Sequence, residues 1–137
     1  YCKGKVSSAG CVALMSSTGI PSATSGSPFL VRATFVLPGK GGFLVYGVNG
    51  ASNIPFLGGI LCARPPVRRA SPVASGGIPP PASCSGSFVF DMNVRIQSGV
   101  DPNLVPGAQV SAQYVYRDGG VPGGAGLSDA LQFVICP

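Results

Sequence analysis

Ser87-Phe-Val-Phe-Asp-Met-Asn-Val-Arg-Ile96 is the stretch on which the reading of this chain turns. Phe88, Phe90, Met92, Val94 and Ile96 fall on one face, and Ser87, Val89, Asp91, Asn93 and Arg95 on the other. A strict period of two predicts a long, half-buried β-strand over 87–96, a pattern read here as foreign to a helix. The same alternation recurs on either side. Residues 108–117 set Val110, Ala112, Tyr114 and Tyr116 inward against Gln109, Ser111, Gln113 and Arg117. Residues 29–37 set Phe29, Val31, Ala33, Phe35 and Leu37 against Arg32 and Thr34, and residues 127–135 bury Leu131, Phe133 and Ile135.

Residues 42–48 are apolar on both faces and read as a central strand or one covered by a neighbour. Weaker strands are expected at 3–6, 11–16, 55–62 and 68–74. Turn chemistry separates them, in Pro38-Gly-Lys-Gly-Gly42, Asn49-Gly50, Asp101-Pro102 and Asp118-Gly-Gly120. No helix-length periodic segment competes. About seven to nine strands at this spacing predict an all-β, two-sheet antiparallel sandwich or jelly-roll-like fold. One domain over 1–137 accommodates it, with a Pro-rich crossover loop at 63–83 and a small polar loop at 16–27.

Composition agrees. Of 137 residues, 21 are Gly and 14 are Pro, a density incompatible with a helix bundle. Apolar residues make up 45%, charged residues 9%, and mean hydropathy is +0.41, which excludes a solvated coil. No apolar run is long enough to cross a bilayer as a helix, so membrane insertion is not expected.

The chain has no His, Trp or Glu, and its acids are Asp91, Asp101, Asp118 and Asp129. Without imidazole, Ser-His-Asp and Cys-His catalysis and His-based metal sites are excluded. A carboxylate pair has to come from four aspartates in turn or strand contexts, and a Ser-Lys dyad from Lys3, Lys5 or Lys40 beside glycines. No catalytic residue, cofactor or metal is therefore expected, and the chain reads as a non-enzyme. Net charge is +5, with Arg64, Arg68 and Arg69 as the densest basic stretch. It lacks stacking aromatics, so nucleic-acid binding is not expected.

Five cysteines, Cys2, Cys11, Cys62, Cys84 and Cys136, occur without a Cys-x-x-Cys pair. In a small, loop-rich chain this points to disulfides and an oxidising, extracellular or cell-surface location. Cys62 and Cys84 bracket the Pro-rich loop, and bonding them would contribute about 3 kcal/mol by loop entropy. Cys2 and Cys11 then close a short loop and leave Cys136 over; in the rival scheme Cys2 bonds Cys136 and leaves Cys11. The chain begins at Tyr1 with no basic or apolar leader pattern, as expected of a mature or excised segment.

These landmarks together resemble an uncharacterised cysteine-bearing β module of large secreted proteins from planctomycetes and related environmental bacteria. The matching pieces are Tyr1-Cys-Lys-Gly-Lys-Val-Ser-Ser-Ala-Gly-Cys11, Ser16-Ser-Thr-Gly19, Phe56-Leu-Gly-Gly-Ile-Leu-Cys62 and Pro79-Pro-Pro-Ala-Ser-Cys-Ser-Gly86. They continue through Phe90-Asp-Met-Asn93, Gln113-Tyr-Val-Tyr-Arg-Asp118, Leu127-Ser-Asp-Ala-Leu131 and the Cys136-Pro137 end. The resemblance implies export and β architecture, as a terminal appendage of larger proteins, and brings no activity or cofactor. Some relatives carry a further Cys where this chain has Ala112, a partner there for the terminal one.

Three functions are weighed. Leu30, Val36, Val89, Val115 and Val134 fall on nominal solvent faces, and few charges guard the strand edges. Regular self-association would cover them, making the chain a non-enzymatic extracellular structural or assembly module, a homo-oligomer or polymer in a filament, sheath or cell-surface layer. A plain alternative places these residues under loops. The second function is an extracellular carbohydrate- or surface-binding module with Tyr46, Tyr114 and Tyr116 as the stacking candidates. The third is a sorting or anchoring appendage of a larger secreted protein.

Overall fold

The computed structural model describes residues 1–78 and 83–137. Ten strands and one short helix occur among them: β1 (Leu14–Thr18), β2 (Leu30–Val36), β3 (Gly41–Gly47), β4 (Ala51–Phe56), β5 (Gly59–Ala63), β6 (Arg68–Arg69), β7 (Val73–Ala74), β8 (Gly86–Asp91), α1 (Met92–Ser98), β9 (Gln109–Arg117) and β10 (Ala125–Val134). Every strand pairing is antiparallel. One sheet has the order β1-β2-β8, a larger one the order β10-β9-β3-β6 with β7 also on β3, and β4–β5 form a separate hairpin. The sandwich is therefore all-β and disulfide-bearing, as the alternation predicts, but it gains a third layer.

The main core lies between the two sheets. Val31, Ala33 and Phe88 from one meet Leu44, Tyr46, Val110, Ala112, Tyr114 and Tyr116 from the other. Phe88 stacks on Tyr114 with centroids 5.2 Å apart, and the Tyr114 hydroxyl donates to the Val31 carbonyl at 2.6 Å. A second core, of Val45, Leu61, Val115, Ala125 and Leu127, lies between the larger sheet and the hairpin. The central sheet is thus buried on both faces, and Ser111 and Gln113, expected at the surface, are both fully buried. Gln113 serves the hairpin: its carboxamide oxygen accepts from Cys62 N at 3.1 Å, and its Nε2 donates to Ile60 O and Ser128 O. A buried amide is tolerable only when satisfied in this way.

The expected strand over 87–96 stops at Asp91. There the carboxylate accepts from Asn93 N and Phe29 N, capping α1, and Gly99 closes the helix in the left-handed region (φ 74°). Met92 and Ile96 are four apart as well as on alternate positions, so both readings bury them. Val94 decides between them: it is 62% exposed, on the outer face of the helix.

A second correction falls in β2. Its register against β8 shifts between Ala33 and Val36, and Phe35 sits in the left-handed region (φ 60°). One extra residue breaks the alternation there, so Phe35, expected inside, is 53% exposed and Val36, expected outside, is buried, while Leu37 is buried as expected. The single strand expected over 55–62 is a hairpin turning at Leu57-Gly58, both with positive φ, as a two-residue hairpin turn requires. Residues 3–6 contribute only a bridge, Val6 with Val12. Within the crossover at 63–83, β6 and β7 take the two ends of the strand expected over 68–74, and Pro79-Pro80-Pro81 lies outside the described residues.

The disulfides join Cys2 to Cys62 and Cys11 to Cys84, with Cα separations of 6.1 and 6.4 Å, which corrects the expected Cys62–Cys84, Cys2–Cys11 and Cys2–Cys136 pairings. The turn beyond Val6 closes with Ser7 N donating to Cys11 O, so Cys11 faces Ser7 and not Cys2. Cys2 instead follows Tyr1, whose amine and carbonyl exchange hydrogen bonds with Ala130 on β10, beside the hairpin that carries Cys62. Cys136 lies farther along, paired with the 21–23 segment, and its thiol is free and exposed. Two structural disulfides of this kind belong to an oxidising environment. Among the described residues no helix is long and apolar enough to cross a membrane.

Candidate assembly surfaces

The four aspartates show what charge is left for the exterior. Asp91 caps α1; Asp118 accepts from Ser8 N at 2.9 Å and Gly120 N at 3.2 Å; Asp129 accepts from Met15 N at 2.6 Å. Asp101 accepts from Asn103 N and from the Tyr46 hydroxyl at 2.8 Å, and Arg68 Nε lies 3.5 Å away. Every carboxylate is therefore bound to main-chain amides inside the fold. Burial pushes the Asp118 carboxyl up, but the Ser8 and Gly120 amides outweigh it and hold it below the usual carboxylate range.

Tyr46 links Asp101 to Arg95, whose Nε donates to the phenol oxygen at 2.9 Å. Burial is the main cause of its raised pKa. Tyr46, Arg68 and Asp101 line a cleft of about 190 Å³ with Asn49 and Asn103, and with Arg95 they tie β3, β6, α1 and the 101–103 turn together. Tyr116 is pushed up to about 12, first by burial and then by the neighbouring Asp118 charge. No group of three or more His, Cys, Asp or Glu among the described residues is placed to hold a metal.

The exterior falls into two faces on opposite sides of the central sheet. On the β1-β2-β8 side, cross-strand register places Ser16 opposite Arg32 and Arg32 opposite Val89, with Leu14 and Leu30 at diagonal positions. Leu14 and Val89 are 45% and 49% exposed, Leu30 is half-buried, and Arg32 is held sideways by a hydrogen bond to Thr18. Phe35, thrown outward by the bulge, extends this surface. On the other side the hairpin presents Ile54, Pro55, Phe56 and Leu57, all exposed and without a charge among them.

Of the five surface candidates, the structure therefore exposes Val89 and Val134 and leaves Leu30 half-buried. Val36 is buried because of the bulge, and Val115 because the hairpin covers the outer face of β9. Reading alternation alone missed Phe35, Ile54, Phe56 and Leu57. The usable signal for the hairpin was Gly58-Gly59 interrupting an apolar run. Tyr46, Tyr114 and Tyr116, the candidates for sugar stacking, are at most 2% exposed and offer no platform. No family model, curated protein or solved structure matches the chain.

Proposed function

We propose that the chain is a non-enzymatic extracellular structural module that self-associates into a fibre, sheath or cell-surface layer. The observation that carries this reading is the pair of sparsely charged apolar faces on opposite sides of the central sheet, Leu14–Leu30–Phe35–Val89 on one and Ile54–Phe56–Leu57 on the other. Two different faces on one molecule make a head-to-tail contact, and such a contact propagates unless its rotation closes a ring. Burying them removes apolar area from water at roughly 25 cal/mol per Å². The disulfides support residence in an oxidising space outside the cytoplasm.

Sedimentation velocity and negative-stain microscopy at rising concentration test the reading. The wild type is expected to form large ordered assemblies. Val89→Lys, which charges one face, and Ile54→Lys, which charges the other, should each stop growth. Mixing the two variants restores one intact contact per pair and should give dimers but no longer polymers. A wild-type protein that stays monomeric at high concentration overturns the proposal.

A further inference from the structure

Between the tip of the hairpin and the outer face of the central sheet a cavity of about 380 Å³ opens, beside the second core. Its floor is Phe43, Val115 and Ala125; Leu57 of the hairpin tip and Pro72 form walls, and Arg117 stands among its lining residues. Phe43 and Val115 are directly paired across β3 and β9, so their side chains share the outer face. Arg117 lies two residues beyond Val115 on that same face. Arg69, opposite Val45, places its guanidinium over the Phe43 ring at 4.9 Å from the centroid. Neither arginine has a carboxylate within 4.0 Å among the described residues, where the one salt bridge is Arg68–Asp101. Asp118, the acid nearest Arg117 in sequence, is turned away onto Ser8 and Gly120.

An apolar cavity of this size, with Arg117 in its lining and the Arg69 guanidinium over the ring of Phe43, has a definite complement. We propose that it binds a small amphipathic anion, a flat apolar body carrying one carboxylate or sulfonate. The body lies on Phe43, Val115 and Ala125, and the anionic group meets Arg117 and Arg69. Guanidinium suits both parts, because its plane stacks on aromatic rings and its edge donates in parallel to a carboxylate. Gly41, where a side chain would meet open space, leaves the cavity mouth free. This inference does not depend on self-association.

The test is a fluorescence titration of the intact, oxidised protein with anilinonaphthalene sulfonate, with amide chemical-shift mapping on the same samples. Saturable one-to-one binding is expected, displaced by benzoate and not by benzamidine, with shifts confined to Gly41, Phe43, Ala125 and their neighbours. Gly41→Leu, whose Cβ meets nothing within 4 Å, places an apolar side chain at the mouth and should abolish it. Arg117→Gln and Arg69→Gln should each weaken it about tenfold with the melting temperature unchanged. Binding unaffected by Gly41→Leu, equal competition by benzamidine, or shifts elsewhere on the protein would overturn the proposal. So would probe release on self-association without displacement by benzoate, which would assign the cavity to a second copy of the chain.

Discussion

The ammonium of Lys5 donates to the carbonyl of Leu57 at 2.8 Å, fastening the N-terminal segment to the tip of the β4–β5 hairpin. The same ammonium reaches the carbonyls of Pro122 and Ala125, at 2.5 and 2.7 Å, so all three of its donors end on main-chain oxygens. The hairpin is thereby held to the loop between β9 and β10. Lys5→Met keeps the apolar stem and removes this clasp. It should cost about 2 kcal/mol by denaturant unfolding and speed hydrogen exchange in β5 more than in β2.

Cys2 and Cys62 close a loop with a sequence separation of 60. Chain entropy for that length gives about 4 kcal/mol, so Cys2→Ser with Cys62→Ser should lower the unfolding free energy by a similar amount. Peptide mapping without reduction should recover Cys2 with Cys62 and Cys11 with Cys84. Cys136 alone should be alkylated in the folded protein.

Gly126 faces Tyr116 across β9 and β10, and a Cβ there would fall within the Tyr116 ring. Gly126→Ala must displace a fully buried aromatic from the main core. The expected cost is about 1–3 kcal/mol, and the near-ultraviolet tyrosine signal should change with it.

Asp118 and the buried tyrosines Tyr46, Tyr114 and Tyr116 set opposite pH limits. The folded Asp118 carboxyl titrates below its ordinary value, so it stabilises the fold above about pH 4, and that contribution is lost as the pH falls through the depressed folded value. Tyr116 is raised to about 12, so its contribution is intact below about pH 10 and is lost as the pH rises from there toward 12. Melting temperatures should therefore fall at both ends. Asp118→Asn should flatten the acid limb, and Tyr116→Phe should make the alkaline one shallower, with Tyr114 and Tyr46 keeping the remainder.

Phe35 occupies a left-handed backbone conformation that costs a non-glycine residue about 1–2 kcal/mol. Phe35→Gly relieves it, so thermal stability should hold or rise slightly while assembly weakens. A stable variant that assembles like the wild type would remove Phe35 from the contact.

Local pattern in the sequence already determined the all-β class, the inward faces of β9 and the centrality of β3. A period of two in Val110, Ala112, Tyr114 and Tyr116 is a property of the backbone itself. What only the tertiary structure decided was wherever one residue altered the count or a distant segment supplied the cover. The bulge at Phe35 exchanged the fates of Phe35 and Val36, and Asp91 ended a strand whose alternation continued by coincidence through Met92 and Ile96. The hairpin buried Val115 and Gln113 from outside, an event no pattern within β9 encodes. The partner of Cys2 follows from the Tyr1–Ala130 pairing, because bond formation depends on Cα atoms being brought within several ångströms and not on spacing along the chain.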